Sequence, residues 1–187
     1  MDEFSYLSVL LSVILGLAVT QILQGFRGLL LSRARIKIYW PVIGWAFLLL
    51  LVCVQNWWSM FGMRLRHDWT FEQFAIVLLQ TILIYMMAGL VFPDLFGEAA
   101  VDLRENFFAH RGWFFSLGLA NIVVSVCKDL VLSGSLPNPT NLTFHVVFGV
   151  TLLIGALTRR EGYHKTLVVT GIAVFILYIV LLFGRIH

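Results

Sequence analysis

Lys128 and Asp129 stand side by side near the end of one long apolar run, and His145 stands inside the next. Charged and titratable groups are costly in hydrocarbon, so each is expected to face a partner or a water-filled cavity. Gln55 and Asn56 sit near the end of another apolar run. Ser12 and Tyr178 fall at a similar depth in the first and last runs. Together these residues point to an outward-facing polar pocket. In it Asp129 would accept from Lys128 or His145, Gln55 and Asn56 would supply amide hydrogen bonds, and His145 would be a proton-sensitive partner. The plainer alternative is interfacial. Lysine can extend to the headgroups, and Gln55-Asn56-Trp57-Trp58 also fits an aromatic belt.

A second set is acidic. Asp94, Glu98, Asp102 and Glu105 are spaced by 4, 4 and 3 residues. On a helix they would share one face and could hold a hard cation. Pairing with the basic loops on the same side is the stronger expectation. Arg27, Arg33 and Arg35 are expected to meet lipid headgroups. Gln21, Gln24 and Gln80 could join helices by hydrogen bonds.

Several chemistries lack their motifs. There is no GxSxG, HExxH, P-loop or CxxC pattern. A membrane haem needs histidines deep in the spans, and only His145 is so placed. No cofactor, metal or nucleic acid is expected. Cys53 and Cys127 lie in apolar runs and read as buried thiols.

The elements that must position these residues follow from composition. Of 187 residues, 60% are hydrophobic and 12% charged, and the mean hydropathy is +0.91. A soluble domain is about 25% charged. The expected fold is an all-α, polytopic membrane bundle forming one domain over 1–187. Six spans are expected at about 4–31, 39–63, 71–93, 112–133, 142–158 and 166–184, with a surface helix over about 95–110. Met1-Asp2-Glu3 lacks the basic start of a signal peptide, so the first span is expected to be retained.

The odd-numbered loops, with Arg27, carry nine Lys and Arg residues against four on the other side. Positive residues favour the cytoplasm, which would put both termini outside, in the inner membrane of a bacterial cell or its equivalent. Leu15-Gly16-Leu17-Ala18 recurs as Leu117-Gly118-Leu119-Ala120, and a 3+3 inverted repeat would follow if the halves correspond. In the first span Ser5, Ser8, Ser12, Gly16, Thr20, Gln24 and Arg27 form one stripe, which is expected to pack inward against other helices or water.

These features favour a small transporter or channel for an ion or small polar solute, acting as a homo-oligomer. A non-catalytic subunit that binds another membrane protein or lipids is the alternative. An intramembrane lipid-modifying enzyme using Asp129 and His145 comes third, because no motif supports it.

Overall fold

Helix starts in this chain follow from local capping chemistry. The computed structural model describes residues 3–31, 35–66, 68–95 and 100–182. Helix α1 (Glu3–Leu31) is followed by α2 (Trp40–Met60), which begins with Pro41 in its first turn, where a missing N–H costs nothing. A 3₁₀ turn, Phe61–Met63, extends it. Helix α3 (Phe71–Val91) starts from a reciprocal cap. The Gln73 amide N donates to Thr70 Oγ1 at 3.3 Å, and the Thr70 amide N donates to Gln73 Oε1 at 3.4 Å.

Helix α4 (Leu103–Ser133) is capped by Asp102, whose carboxylate accepts from the amides of Arg104 and Glu105 at 2.8 and 3.1 Å. It ends at Gly134, which is left-handed with φ 69°, a conformation that costs glycine little. Helix α5 (Pro139–Leu157) is capped by Asn138, and α6 is Glu161–Leu182. All six helices are long and apolar enough to cross a membrane, the expected make-up of a multi-pass membrane protein.

Boundaries differ from expectation where caps decide them. Asn138-Pro139 starts α5 before residue 142, and α6 begins at Glu161 rather than near 166. Among the described residues no separate surface helix covers 95–110. Residues 96–99 lie outside the described residues, and from Leu103 onward the chain is one continuous helix. The reason is the Asp102 cap, together with Phe107, Phe114 and Phe115, which turn into the core instead of onto a membrane surface.

Two-residue strands β1 (Ile36–Lys37) and β2 (Val101–Asp102) pair in parallel, Ile36 with Val101 and Lys37 with Asp102. They tie the first loop to the third, and Lys37 Nζ meets Asp102 Oδ2 at 2.9 Å.

Helix α1 packs along α3, α3 along α4, and α4 along α5, while α6 lies on α2. Close approach is set by glycine. A Cβ on Gly28 would stand 2.7 Å from Leu95 Cβ, and one on Gly44 2.7 Å from Val168 Cγ2. Phe92 packs directly on Gly25.

The face that α1 buries is a correction. Leu11, Leu15, Ala18, Ile22, Gly25 and Gly28 face inward, whereas Ser12, Gly16, Thr20, Gln24 and Arg27 are exposed. Between helices in lipid, tight packing at small residues decides the interface. The Gly25 and Gly28 face offers that contact. The Thr20 hydroxyl donates to the Gly16 carbonyl at 2.8 Å within its own helix, so it has no need of an interhelical partner.

Candidate functional site: a two-chambered cavity in the bundle

One end of the bundle is gathered by the α1 start, the α2–α3 connection and the α4–α5 turn. The Trp69 amide donates to Glu3 Oε2 at 3.2 Å, and Arg66 Nη2 donates to the Leu132 carbonyl. Below this rim lies a polar cavity of about 600 Å³. Gln55, Asn56 and Ser59 reach it from α2, Gln80 from α3, and Tyr178 from α6. Helix α4 supplies Ser125, Lys128, Asp129 and Ser133, which recur at helical spacing and so share a face.

The structure therefore brings Gln55, Asn56, Lys128, Asp129 and Tyr178 around one space. It does not bring Ser12, which is exposed on the outer face of α1. His145 lies next door, on the wall of a second and deeper chamber.

The expected pairings of Asp129 do not form. Lys128 and Asp129 make no salt bridge with each other or with any other described residue. Adjacent helix residues diverge. The Ser133 hydroxyl donates instead to the Asp129 backbone carbonyl at 2.5 Å. His145 is engaged elsewhere: Nδ1 lies 2.8 Å from the Asn141 carbonyl, and Nε2 lies 3.0 Å from Ser125 Oγ. A carbonyl can only accept, so Nδ1 carries the hydrogen. In the neutral ring, Nε2 then accepts from the Ser125 hydroxyl.

The deeper chamber has a volume of about 130 Å³. Its wall is mainly apolar and aromatic, including Trp45, Phe144, Phe148 and Phe175. Gln55, Asn56, Gln80, Ser125 and Tyr178 line both spaces and form the neck between them. Asn56 is 6% exposed, and its Nδ2 is a buried donor with no hydrogen-bond partner among the described residues. Asn121 Oδ1, on the chamber wall, is a buried acceptor without one.

Beyond the chamber the bundle is closed. Trp45 meets Phe114 and Phe115 edge to face, with centroids 5.6 and 5.2 Å apart. His164 is fully buried against Phe107, Phe108 and Phe115 at 5.1, 5.5 and 5.4 Å. Its Nε2 donates to the Thr158 carbonyl at 3.0 Å. Outside this plug lie the ion pairs Arg104–Glu161 and Lys165–Glu161, at 2.9 and 2.7 Å. Burial, aided by Glu161 and opposed by Arg104, pushes the Tyr39 phenol there up to about 12. The Lys37 ammonium, then the Glu105 amide, holds the Asp102 carboxyl below the usual carboxylate range.

The acidic row is not a cation site on one helix. Asp94 precedes β2, Glu98 lies outside the described residues, Asp102 is the α4 cap, and only Glu105 is helical. Among the described residues no group of three or more His, Cys, Asp or Glu could hold a metal ion. Arg27 and Arg35 are exposed, and Arg33 lies outside the described residues. Cys53 is buried as expected, whereas Cys127 is exposed.

Arg66, Asn121, Ser125 and Asn141 were not picked out from the sequence, and Gln80 was read as helix glue rather than as cavity wall. The signal for two of them was present. Asn121 and Ser125 precede Lys128 and Asp129 at i, i+4 and i+7 or i+8, which is one helix face. Comparison with protein-family models, curated proteins and solved structures gives no match in any of the three, so the geometry of this cavity carries the functional reading.

Proposed function

We propose that this protein is a carrier for a small polar solute, taken up from the hollow end of the bundle into the cavity around Lys128 and Asp129. The observation that carries the reading is a lysine and a carboxylate on the wall of a cavity within the helix bundle, neither of them ion-paired to a described residue. A bundle that needed these charges only for stability would pair them, because an uncompensated charge in a low-dielectric interior is costly. A solute that pairs with them would offset that cost on binding. The closed aromatic end supports alternating access over an open channel, since the path stops at Trp45, Phe114 and Phe115. With Arg66 and Lys128 against Asp129, the cavity favours an anion or a zwitterion. The positive-inside count makes the hollow end the outer one.

The test is flux in proteoliposomes, with separate gradients of chloride, phosphate, acetate, phenylacetate, glycine and glucose. Uptake of at least one of these is expected, and Lys128→Met should abolish it. Silence for all six, or uptake indifferent to Lys128→Met, counts against a carrier.

A second reading, assembly with another helix, is favoured by one observation. Ser12, Gly16 and Gln24 face outward from α1, where an amide meets lipid unless a partner covers it. A second copy of this chain is the occupant proposed. Disulfide trapping of Gly16→Cys in a Cys53→Ala, Cys127→Ala background tests it, and an absence of dimer at every oxidant level would exclude it.

A further inference from the structure

We infer that the solute is a small organic anion bearing one aromatic ring or an apolar group of similar size. The inference rests on the carrier reading and deepens it. A wholly polar solute would use only the outer cavity and leave the aromatic wall of the inner chamber without a guest. Apolar cavities of roughly 150 Å³ take up a benzene-sized guest. The chamber, at about 130 Å³, has that size. It is too small for a long acyl chain, which separates this class from membrane lipids.

The walls agree with a ring. Trp45, Phe144, Phe148 and Phe175 border the chamber. Phe144 and Phe148 lie 5.3 and 6.4 Å from the Tyr178 ring at steep angles, the arrangement aromatic rings prefer among themselves. A guest ring would extend this cluster.

The polar half agrees with an anion. Where the two chambers meet, Asn56 Nδ2 is a buried donor with no partner among the described residues. The cavity above it holds Lys128 and Arg66 against a single carboxylate, Asp129. A carboxylate attached to a ring seated in the chamber would emerge at this neck, where the Asn56 amide can donate to it and Lys128 supplies the countercharge. Asp129 then selects against dianions.

The experiment is isothermal titration of the full chain in detergent with phenylacetate, acetate and phenethylamine. Phenylacetate should bind about tenfold tighter or more than either of the others. Ile122→Phe, which narrows the chamber, should bring phenylacetate down to the level of acetate and leave acetate unchanged. Phe148→Ala, which widens it, should raise the affinity for naphthylacetate. The two variants push the chamber in opposite directions, so misfolding of one leaves the other decisive. Equal affinity for acetate and phenylacetate overturns the inference and leaves the carrier reading intact. Tighter binding of phenethylamine overturns the sign of the charge. If neither carboxylate binds while the proteoliposomes still move another solute, the inference alone fails; no binding and no flux removes both.

Discussion

The two ends of the bundle are built from the same six helices by opposite means. At the closed end Lys37, Asp102, Arg104, Glu161 and Lys165 are ion-paired and apolar groups interlock, while Tyr39 Oη, Trp45 Nε1 and His164 Nδ1 are buried without a hydrogen-bond partner among the described residues. Lys37 pairs with Asp102, Arg104 and Lys165 pair with Glu161, and Arg111 Nε donates to the Thr158 carbonyl at 3.1 Å. Beneath them Phe107, Phe108 and Phe115 surround His164, and Trp45 packs on Phe115. At the hollow end the polar groups outnumber their protein partners. Among the described residues Lys128 and Asp129 have no salt bridge and the Asn56 Nδ2 donor has no partner, and the helices stand apart around about 600 Å³ of space. Saturated polar groups and dense packing produce stability. Unsaturated polar groups around a void produce a place for a ligand. The difference teaches where stability and binding should separate under mutation.

The sharpest way to break the comparison is at the closed end. Phe115 is fully buried, and Phe115→Ala should cost about 3–5 kcal/mol of stability, seen as a large fall in the melting temperature of the purified protein. A shift as small as that of a Gln55→Ala control would mean that the plug is not where the fold is held.

Next comes the contact between the last turn of α1 and the segment after α3, on the closed side of the bundle. A Cβ on Gly28 meets Leu95 at 2.7 Å, so Gly28→Ala should cost about 2 kcal/mol through overpacking. Gly16, with open space around it, is the matched control, and Gly16→Ala should be neutral or slightly stabilising.

Lys128→Met should act in the other currency, with binding of the anionic probe weakened about tenfold, or about 1.4 kcal/mol. Its melting temperature should hold or rise, because a charge that makes no salt bridge with a described residue leaves the interior. Equal loss of binding and stability would erase the contrast between the ends.

The smallest effect is the pH response of the closed end. The Asp102 carboxyl is held below its ordinary range by Lys37 first, then by the Glu105 amide. The folded state thus binds that proton more weakly than the unfolded chain does, and the pair's contribution is present above the usual carboxylate range and lost as pH falls below it. Melting curves of the parent and Lys37→Met should differ at about pH 6 and draw together as the pH falls below the usual carboxylate range. A constant gap across that range would assign the clamp to the β1–β2 backbone pairing instead.

Much of the site's membership could be read from residue type alone. Gln55, Asn56, Lys128, Asp129 and Tyr178 are polar groups at matching depth in apolar runs, and depth along a helix follows directly from counting residues. Facing is harder to read. Ser12 had the right depth and the wrong side, because the glycine face of α1 packed more closely than the hydroxyl face. His145 had the right depth and a different partner, since Ser125 on α4 comes within 3.0 Å only after α4 and α5 have packed.

By itself the sequence determined six apolar helices and the basic character of the odd loops, because span length and charge counts are local properties. Tertiary structure alone decided where α4 and α6 begin. It also decided which face of each helix turned inward, that Lys128 and Asp129 made no salt bridge with a described residue, and that an aromatic chamber lay beneath a polar one. Each of these depends on how neighbouring helices rotate against each other, and that rotation is set by contacts such as Gly28 on Leu95 and Gly44 on Val168, between residues far apart in the chain.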